Sequence, residues 1–172
     1  MELRLREIKD EDSRVFFKWI NNKKLVNFNS NYKPISQKDH ENWFYKIQNQ
    51  NDSIYFTITL YSDNKDEKII GSTSLRKIDY INKKAQFQIR IGEIDEHNKG
   101  WGTLAVQKMV EFAFFDLNLN RIELEVFETN SQAKRVYEKC GFKVEGIKEQ
   151  DIYINGKYVN VILMAILKKS DN

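Results

Sequence analysis

The sequence predicts a single α/β domain of the α+β kind over residues 1–172, with a central mixed, mostly antiparallel twisted sheet of about seven strands flanked by about four helices. Three observations lead there. β-type runs and amphipathic helical runs interleave along the chain in the order βααβββαβαββ. Asn155-Gly156 sits between two β runs, the strongest short-range hairpin signal. No internal repeat and no Pro- or Gly-rich linker divides the chain, whose one proline is Pro34.

The elements follow in order. Residues 3–8 alternate and predict a first strand. Residues 9–22 open with capping residues and carry Val15, Phe16, Trp19 and Ile20 at helical spacing. The Asn-rich stretch 26–34 predicts a loop. Ser36 is placed to cap a second helix to Ile47, with Trp43, Phe44 and Ile47 on one face. Residues 53–61 and 68–78 flank a turn at 62–67 and predict a hairpin. Residues 84–93 alternate through Phe87, Ile89 and Ile91 and predict another strand. Residues 103–119 are apolar on most sides without a breaker, as a buried helix would be. Ile122, Leu124 and Val126 alternate in a strand at 121–128. Residues 130–142 predict a short helix, capped by Asn130 and stopped by a left-handed Gly141. Residues 144–154 and 157–167 form the last hairpin.

Composition narrows the class. Hydrophobic residues make up 41% and charged residues 31%, as in a soluble globular protein. With 28 basic and 25 acidic residues the formal charge is +3, and no basic block stands apart. Nucleic acid is therefore not an expected partner. The one cysteine, Cys140, can form no internal disulfide and requires no oxidising compartment. The first ten residues alternate charge with apolar side chains, unlike a signal peptide. No apolar stretch approaches the roughly 18 residues of a membrane span. The expectation is a cytoplasmic enzyme or binding domain without a membrane partner or a metal.

The stretch HNKGWGT, residues 97–103, holds two of the seven glycines just before an apolar run. A helix N-terminus presents four unpaired backbone N–H groups and the positive end of its dipole. Gly100 and Gly102 would let phosphate oxygens reach those groups, and Lys99 adds a mobile positive charge. The pattern is neither a Walker A loop nor a full dinucleotide fingerprint. Taken alone, it favours a plain tight turn. Downstream, Ala133, Val136, Tyr137 and Cys140 share one helical face.

HNKGWGT followed by NSQAKRVYEKCGF, residues 130–142, resembles the GCN5-related N-acetyltransferase (GNAT) superfamily. The first stretch is similar to its acyl-CoA pyrophosphate loop, with His97 in place of the usual Gln or Arg. The second resembles its N…A…YEK-GF helix. AQFQIRI, residues 85–91, sits where the family has its splayed central strand. The resemblance implies the GNAT fold, acetyl-CoA as co-substrate and no metal. It implies that pantetheine lies along Ile89, Arg90 and Ile91 like an added strand. The pyrophosphate would rest on the amides of His97, Asn98, Lys99, Gly100, Trp101, Gly102 and Thr103. Asn130 and Ala133 would contact the cofactor, Arg135 would approach its phosphates, and Tyr137 would act as general acid on the thiolate.

The attacking amine must be neutral. Freeing the lone pair of a lysine-like amine at pH 7 costs roughly 4–5 kcal/mol. Glu93, Glu123 and Glu125 are candidate bases, each with an ordinary reading as a surface strand charge. Many relatives have AEF where this chain has Ala85-Gln86-Phe87, and Gln86 can position a substrate but take no proton.

The later half of the chain resembles the spermidine and ribosomal-protein N-acetyltransferase branch, and the first half resembles amino-sugar N-acetyltransferases. The acceptor would be met by Trp19, Asn21, Asn22, Tyr32, His40, Trp43 and Tyr153, with Gln86 and Glu125 beside them. Residues 18–38 contain no carboxylate for a polycation. The favoured acceptor is therefore a small-molecule amine, a nucleotide-linked amino sugar first. A polyamine such as spermidine or a protein N-terminus are the alternatives. A non-catalytic acyl-CoA sensor is the alternative outside enzymes. The assembly is expected to be a monomer or homodimer.

Overall fold

The computed structural model describes residues 1–28, 30, 32–62 and 66–169. Seven strands form one sheet: β1 (Glu2–Glu7), β2 (Ile54–Tyr61), β3 (Glu67–Asp79), β4 (Lys84–Ile91), β5 (Arg121–Phe127), β6 (Lys143–Ile154) and β7 (Lys157–Leu167). Their spatial order is β1-β2-β3-β4-β5-β7-β6. Every neighbouring pair is antiparallel except β4 and β5. This is the mixed, mostly antiparallel sheet that the sequence predicts. Residues 63–65 of the expected 62–67 turn, and residues 29 and 31 of the expected 26–34 loop, lie outside the described residues.

Helices cover both faces. α1 (Asp12–Ile20), α2 (Lys23–Val26) and α3 (Gln37–Asn49) lie on one side, where Phe16, Trp19, Leu25, Phe44 and Ile47 pack together beside Tyr55 of β2. α4 (Trp101–Glu111) and α5 (Ser131–Lys139) lie on the other. There Val106, Met109 and Tyr137 join Leu75, Phe87, Ile122, Leu124, Val126 and Met164 in the main core. The period-2 burial of β5 shows that it is covered on one face only, the face whose Ile122, Leu124 and Val126 join the main core.

Local chemistry sets the boundaries. The Ser36 side chain accepts a hydrogen bond from the Asp39 N–H and opens α3. Asn130 Oδ1 accepts from Ala133 N at 3.1 Å and opens α5. Gly141, at φ +97°, stops α5 as expected, and Phe142 N donates to Tyr137 O at 3.0 Å. Asn155 (φ +50°) and Gly156 (φ +82°) turn the last hairpin.

Two expectations need correction. The first helical run does not continue to Asn22. It ends at Ile20, and Asn22 caps the separate four-residue α2 by accepting from Lys24 N and Leu25 N. A single turn is too short to show periodicity in a sequence. The apolar run at 103–119 is not one uniform helix either. α4 begins at Trp101 and ends at Glu111, and the chain widens into a π turn at Phe112–Asp116, where Leu117 N donates to Phe112 O at 3.1 Å.

Asp12 reads in the sequence as a helix-capping residue. It is instead wholly buried, 0% exposed. Its carboxylate takes two hydrogen bonds of 2.8 Å from Arg6, one of 3.0 Å from Lys9 N and one of 2.7 Å from Thr57 Oγ1. It therefore ties α1 to β1 and β2. Replacing it by Ala leaves the largely buried Arg6 guanidinium and the Thr57 hydroxyl without their partner. The expected loss is about 3 kcal/mol or more of unfolding free energy, read from urea denaturation.

Candidate active site

β4 and β5 pair over three residues only: Lys84 with Arg121, Ala85 with Ile122, and Gln86 with Glu123. Beyond Gln86 the strands splay, and a cavity of about 300 Å³ opens between them. Its walls bring together Ile89, Arg90 and Ile91 of β4, Glu125 and Val126 of β5, and Ala133, Val136 and Tyr137 of α5. The loop before α4 closes one end with His97, Asn98, Gly100, Trp101, Gly102 and Thr103.

The glycines in that loop differ in kind. Gly100 caps α4 in the left-handed region, φ +85°, so the turn itself requires it. Gly102 lies within α4, at a φ outside the left-handed region, and a Cβ there would meet only Ile91 Cγ1, at 4.0 Å. The fold makes no demand for glycine at 102. Its missing side chain leaves the first-turn amides open to the cavity, the geometry that an anion needs. A plain turn would account for Gly100 but not for Gly102.

A carboxylate not singled out in the sequence organises the loop. Glu96 is 5% exposed. It accepts from Lys68 Nζ at 2.6 Å, Lys99 Nζ at 3.1 Å and Trp101 Nε1 at 3.1 Å. The hydrogen bond from Lys68 is the largest of the causes that hold its pKa down at about 2. Lys99 thus anchors the loop through Glu96 and does not line the cavity. Gln132 was missed as well: its Nε2 donates to Asn98 Oδ1 at 2.7 Å and joins α5 to the loop. The contacts of Glu96 with Lys68 and of Gln132 with Asn98 have no local sequence signature, because each depends on where distant segments meet, whereas Lys99 and Trp101 lie three and five residues from Glu96.

His97, the departure from the family pattern, has its Nε2 2.9 Å from the Ile91 carbonyl oxygen, to which it donates. That carbonyl is already engaged, which leaves the β4 edge at Ile89 and Arg90 for a further strand. Asn130 has both ends of its side chain in use, Oδ1 on Ala133 N and Nδ2 on the Phe28 carbonyl at 3.1 Å. Arg135 is exposed and lies outside the cavity wall. Tyr137 is 8% exposed and meets Phe87 edge-on with ring centroids 6.3 Å apart. Burial raises its pKa above the ordinary phenol value, so it carries its proton at neutral pH.

The residues expected at the acceptor site are only partly gathered. Trp19 and Trp43 join His40 in the wall of a second cavity, of about 380 Å³, under α1 and α3. Trp19 is also core: it stacks on Phe16 at 5.5 Å, and its Nε1 donates to Glu93 Oε1 at 2.9 Å. His40 is 3% exposed, with Nε2 held 2.8 Å from the Ser13 carbonyl, and burial lowers its pKa. Asn21 clasps both the N–H and the carbonyl of Ile35. Asn22 is the α2 cap described above. Asn21, Asn22, Tyr32, Gln86 and Tyr153 line neither cavity, and Tyr153 rests on Tyr158 in the last hairpin. Of the candidate bases, Glu125 lines the first cavity and pairs with Lys148 at 2.5 Å. Glu123 pairs with Arg121 at 3.2 Å, and Glu93 takes the Trp19 N–H.

Residues 2–143 match the model of the Acetyltransferase (GNAT) domain family. The chain belongs to that family. Consistent with the splayed sheet, it is an acetyl-CoA-dependent N-acetyltransferase. Among its relatives is a spermidine N(1)-acetyltransferase of Vibrio cholerae, 29% identical over 97% of this chain and 94% of that one. A putative ribosomal N-acetyltransferase of Bacillus subtilis is 32% identical over 60% of this chain and 56% of the relative. Among solved structures, that of spermidine N-acetyltransferase from Vibrio cholerae in complex with CoA and spermine superposes with a TM-score of 0.86. It is 31% identical and covers 96% of this chain and 95% of that one. Among the described residues, no helix is long and apolar enough to cross a membrane.

The geometry of this GNAT site makes two predictions. Gly102→Val leaves the melting temperature nearly unchanged and weakens CoA binding by about ten-fold or more, measured by titration calorimetry. The second concerns Glu96, whose pKa falls from 4.5 in the free side chain to about 2 in the fold. Its stabilisation is therefore complete above pH 4.5 and is lost as the pH falls from there toward 2. Glu96→Gln should remove this acid-side dependence of stability, followed by thermal melts across that range.

Proposed function

We propose that this chain moves the acetyl group of acetyl-CoA onto the primary amine of a small molecule by direct attack, with Tyr137 beside the departing sulfur and the whole chain acting as one catalytic unit. One observation carries the reading. A single cavity joins an open β4 edge, a helix N-terminus cleared of a side chain at Gly102, and a buried, protonated Tyr137.

The neutral amine nitrogen attacks the thioester carbon, the C–S bond breaks, and the electron pair leaves on sulfur. Tyr137 donates its O–H hydrogen bond to the developing thiolate. Its raised pKa makes full proton transfer to a thiolate, ordinarily of pKa near 8.5, unfavourable. The phenol therefore stabilises the charge, and the proton shed by the amine completes the thiol. Of the three candidate carboxylates, Glu125 alone stands in the cavity wall; it takes the proton from the amine and passes it on to the thiolate, ending unprotonated. The amides of Gly102 and Thr103 hold the pyrophosphate, and β4 holds the pantetheine. The enzyme relatives set aside the reading as a non-catalytic acyl-CoA sensor.

The relatives shift the order of acceptors. None of those described is an amino-sugar enzyme, and two carry spermidine in their names. A polyamine therefore takes first place among acceptors supported by kinship. A second reading, an amine that also bears an anion, has one observation in its favour: two arginines line the second cavity. The outer strand β6, with Ile147 57% exposed, offers the edge for a second copy of the chain.

Thiol release from acetyl-CoA in the presence of amines tests the reading. Tyr137→Phe should lower kcat by about a hundred-fold and leave the KM for acetyl-CoA nearly unchanged. An unchanged kcat at every pH would remove Tyr137 from the mechanism.

A further inference from the structure

The second cavity has a polar floor under an aromatic roof. β3 and β4 pair Ser72 with Arg90, Ser74 with Gln88 and Arg76 with Gln86, so these side chains share one sheet face. Ser72, Ser74, Arg76, Gln88 and Arg90 line the cavity from that floor. Phe16, Trp19, Trp43 and Tyr55 supply apolar walls. The size suits a small molecule rather than a protein segment.

The charges in this cavity are unbalanced. Among the described residues, Asp39 is the one carboxylate in the wall; it is exposed and accepts from Ser36 Oγ at 2.7 Å. His40 is buried, already donates to the Ser13 carbonyl, and adds no acid group. Against these stand Arg76 and Arg90. The Nε of Arg76 is buried and has no hydrogen-bond partner among the described residues. A buried donor is normally paired, so an acceptor atom is missing there. A guanidinium matches an oxyanion in both charge and shape. An ammonium-rich ligand placed over two arginines would be repelled.

Arg90 is in the wall of both cavities. Its strand stands between them, so a molecule in the second cavity lies next to the splay where the thioester would sit. Resting on the acetyl-transfer reading above, we propose that the second cavity seats the acceptor and that Arg76 binds an oxyanion of that acceptor, a carboxylate or a phosphate. The acceptor is then an amine that carries an anion, not a plain polyamine. The aromatic walls hold its apolar or ring portion, and the serines and Gln88 hold its hydroxyl or amide groups.

Matched amines test this on the intact enzyme with acetyl-CoA. Glucosamine is compared with glucosamine 6-phosphate, and lysine with cadaverine, with spermidine as a further acceptor. The first pair probes phosphate and the second probes carboxylate. The expected result is a preference of about ten-fold or more in kcat/KM for the anionic member of one pair. Arg76→Gln should erase that preference, and should do so through KM rather than kcat. Arg76→Lys should restore part of it. With CoA bound, so that the anion site at the start of α4 is filled, inorganic phosphate should raise the melting temperature of the native protein but not of Arg76→Gln. If Arg76→Gln does not fold, the matched pairs on the native enzyme decide alone. Equal use of both members, or faster turnover of spermidine with no effect of Arg76→Gln, overturns the oxyanion. Turnover of no amine, with phosphate still stabilising only the native protein, supports the anion site and overturns the acetyl-transfer reading instead.

Discussion

The short β4–β5 ladder is the constraint on which the site depends. Two parallel strands that stayed paired would satisfy each other's backbone groups and leave nothing for a ligand to meet. Here the pairing stops after Gln86 and Glu123, and the two strand ends are driven apart into a cavity. An opened strand edge is an unfinished sheet, and an extended molecule with amide groups can finish it. The pantetheine arm has that character. One face of the splay is covered by α4 and α5, the other by the first three helices, so two molecules can approach the same gap from opposite sides.

Two buried carboxylates keep this gap in shape. Asp12 locks α1 to the first two strands through Arg6 and Thr57. Glu96 holds the turn before α4 through Lys68, Lys99 and Trp101. Each is deeply buried and fully partnered, which is the condition under which a buried charge is tolerated. Breaking the Asp12 cluster is costly because Arg6 and Thr57 would be stranded in the interior, whereas the two lysines on Glu96 are half-exposed and would keep their water. Glu96 also solves a local conflict. An acidic group beside an anion site would repel the ligand, but with two lysines on it the cluster is net positive.

Much of this was legible in the sequence. Strand alternation, β-type composition and hairpin turns together located all seven strands, and Asn130, Gly141 and the Asn155-Gly156 turn marked their elements correctly, because caps and turns are local chemistry. Most of the loop and α5 residues expected around acetyl-CoA do share one cavity. Lys99 and Arg135 do not, since a charged residue near a site in sequence has several directions in which to point. The four-residue α2 and the π turn at Phe112–Asp116 left no periodic trace. Asp12, Glu96 and Gln132 were hidden for a different reason. Each has a partner far along the chain, 45, 28 and 34 positions away, and no pattern in one chain announces such meetings. The acceptor residues were the least legible. Asn21 and Asn22 look like ligands for a polar molecule, yet both are spent on the backbone of their own loop. The arginine at position 76, outside every motif, carries the charge that distinguishes the second cavity.

Amide hydrogen exchange with and without CoA tests the central claim most directly. If the gap between β4 and β5 receives the pantetheine and the start of α4 receives the pyrophosphate, CoA should slow exchange at Ile89 and Arg90 and at Gly102 and Thr103. The outer strands β1 and β6 should be unaffected. Protection confined to other segments, with exchange along β4 and the first turn of α4 unchanged, would contradict the account.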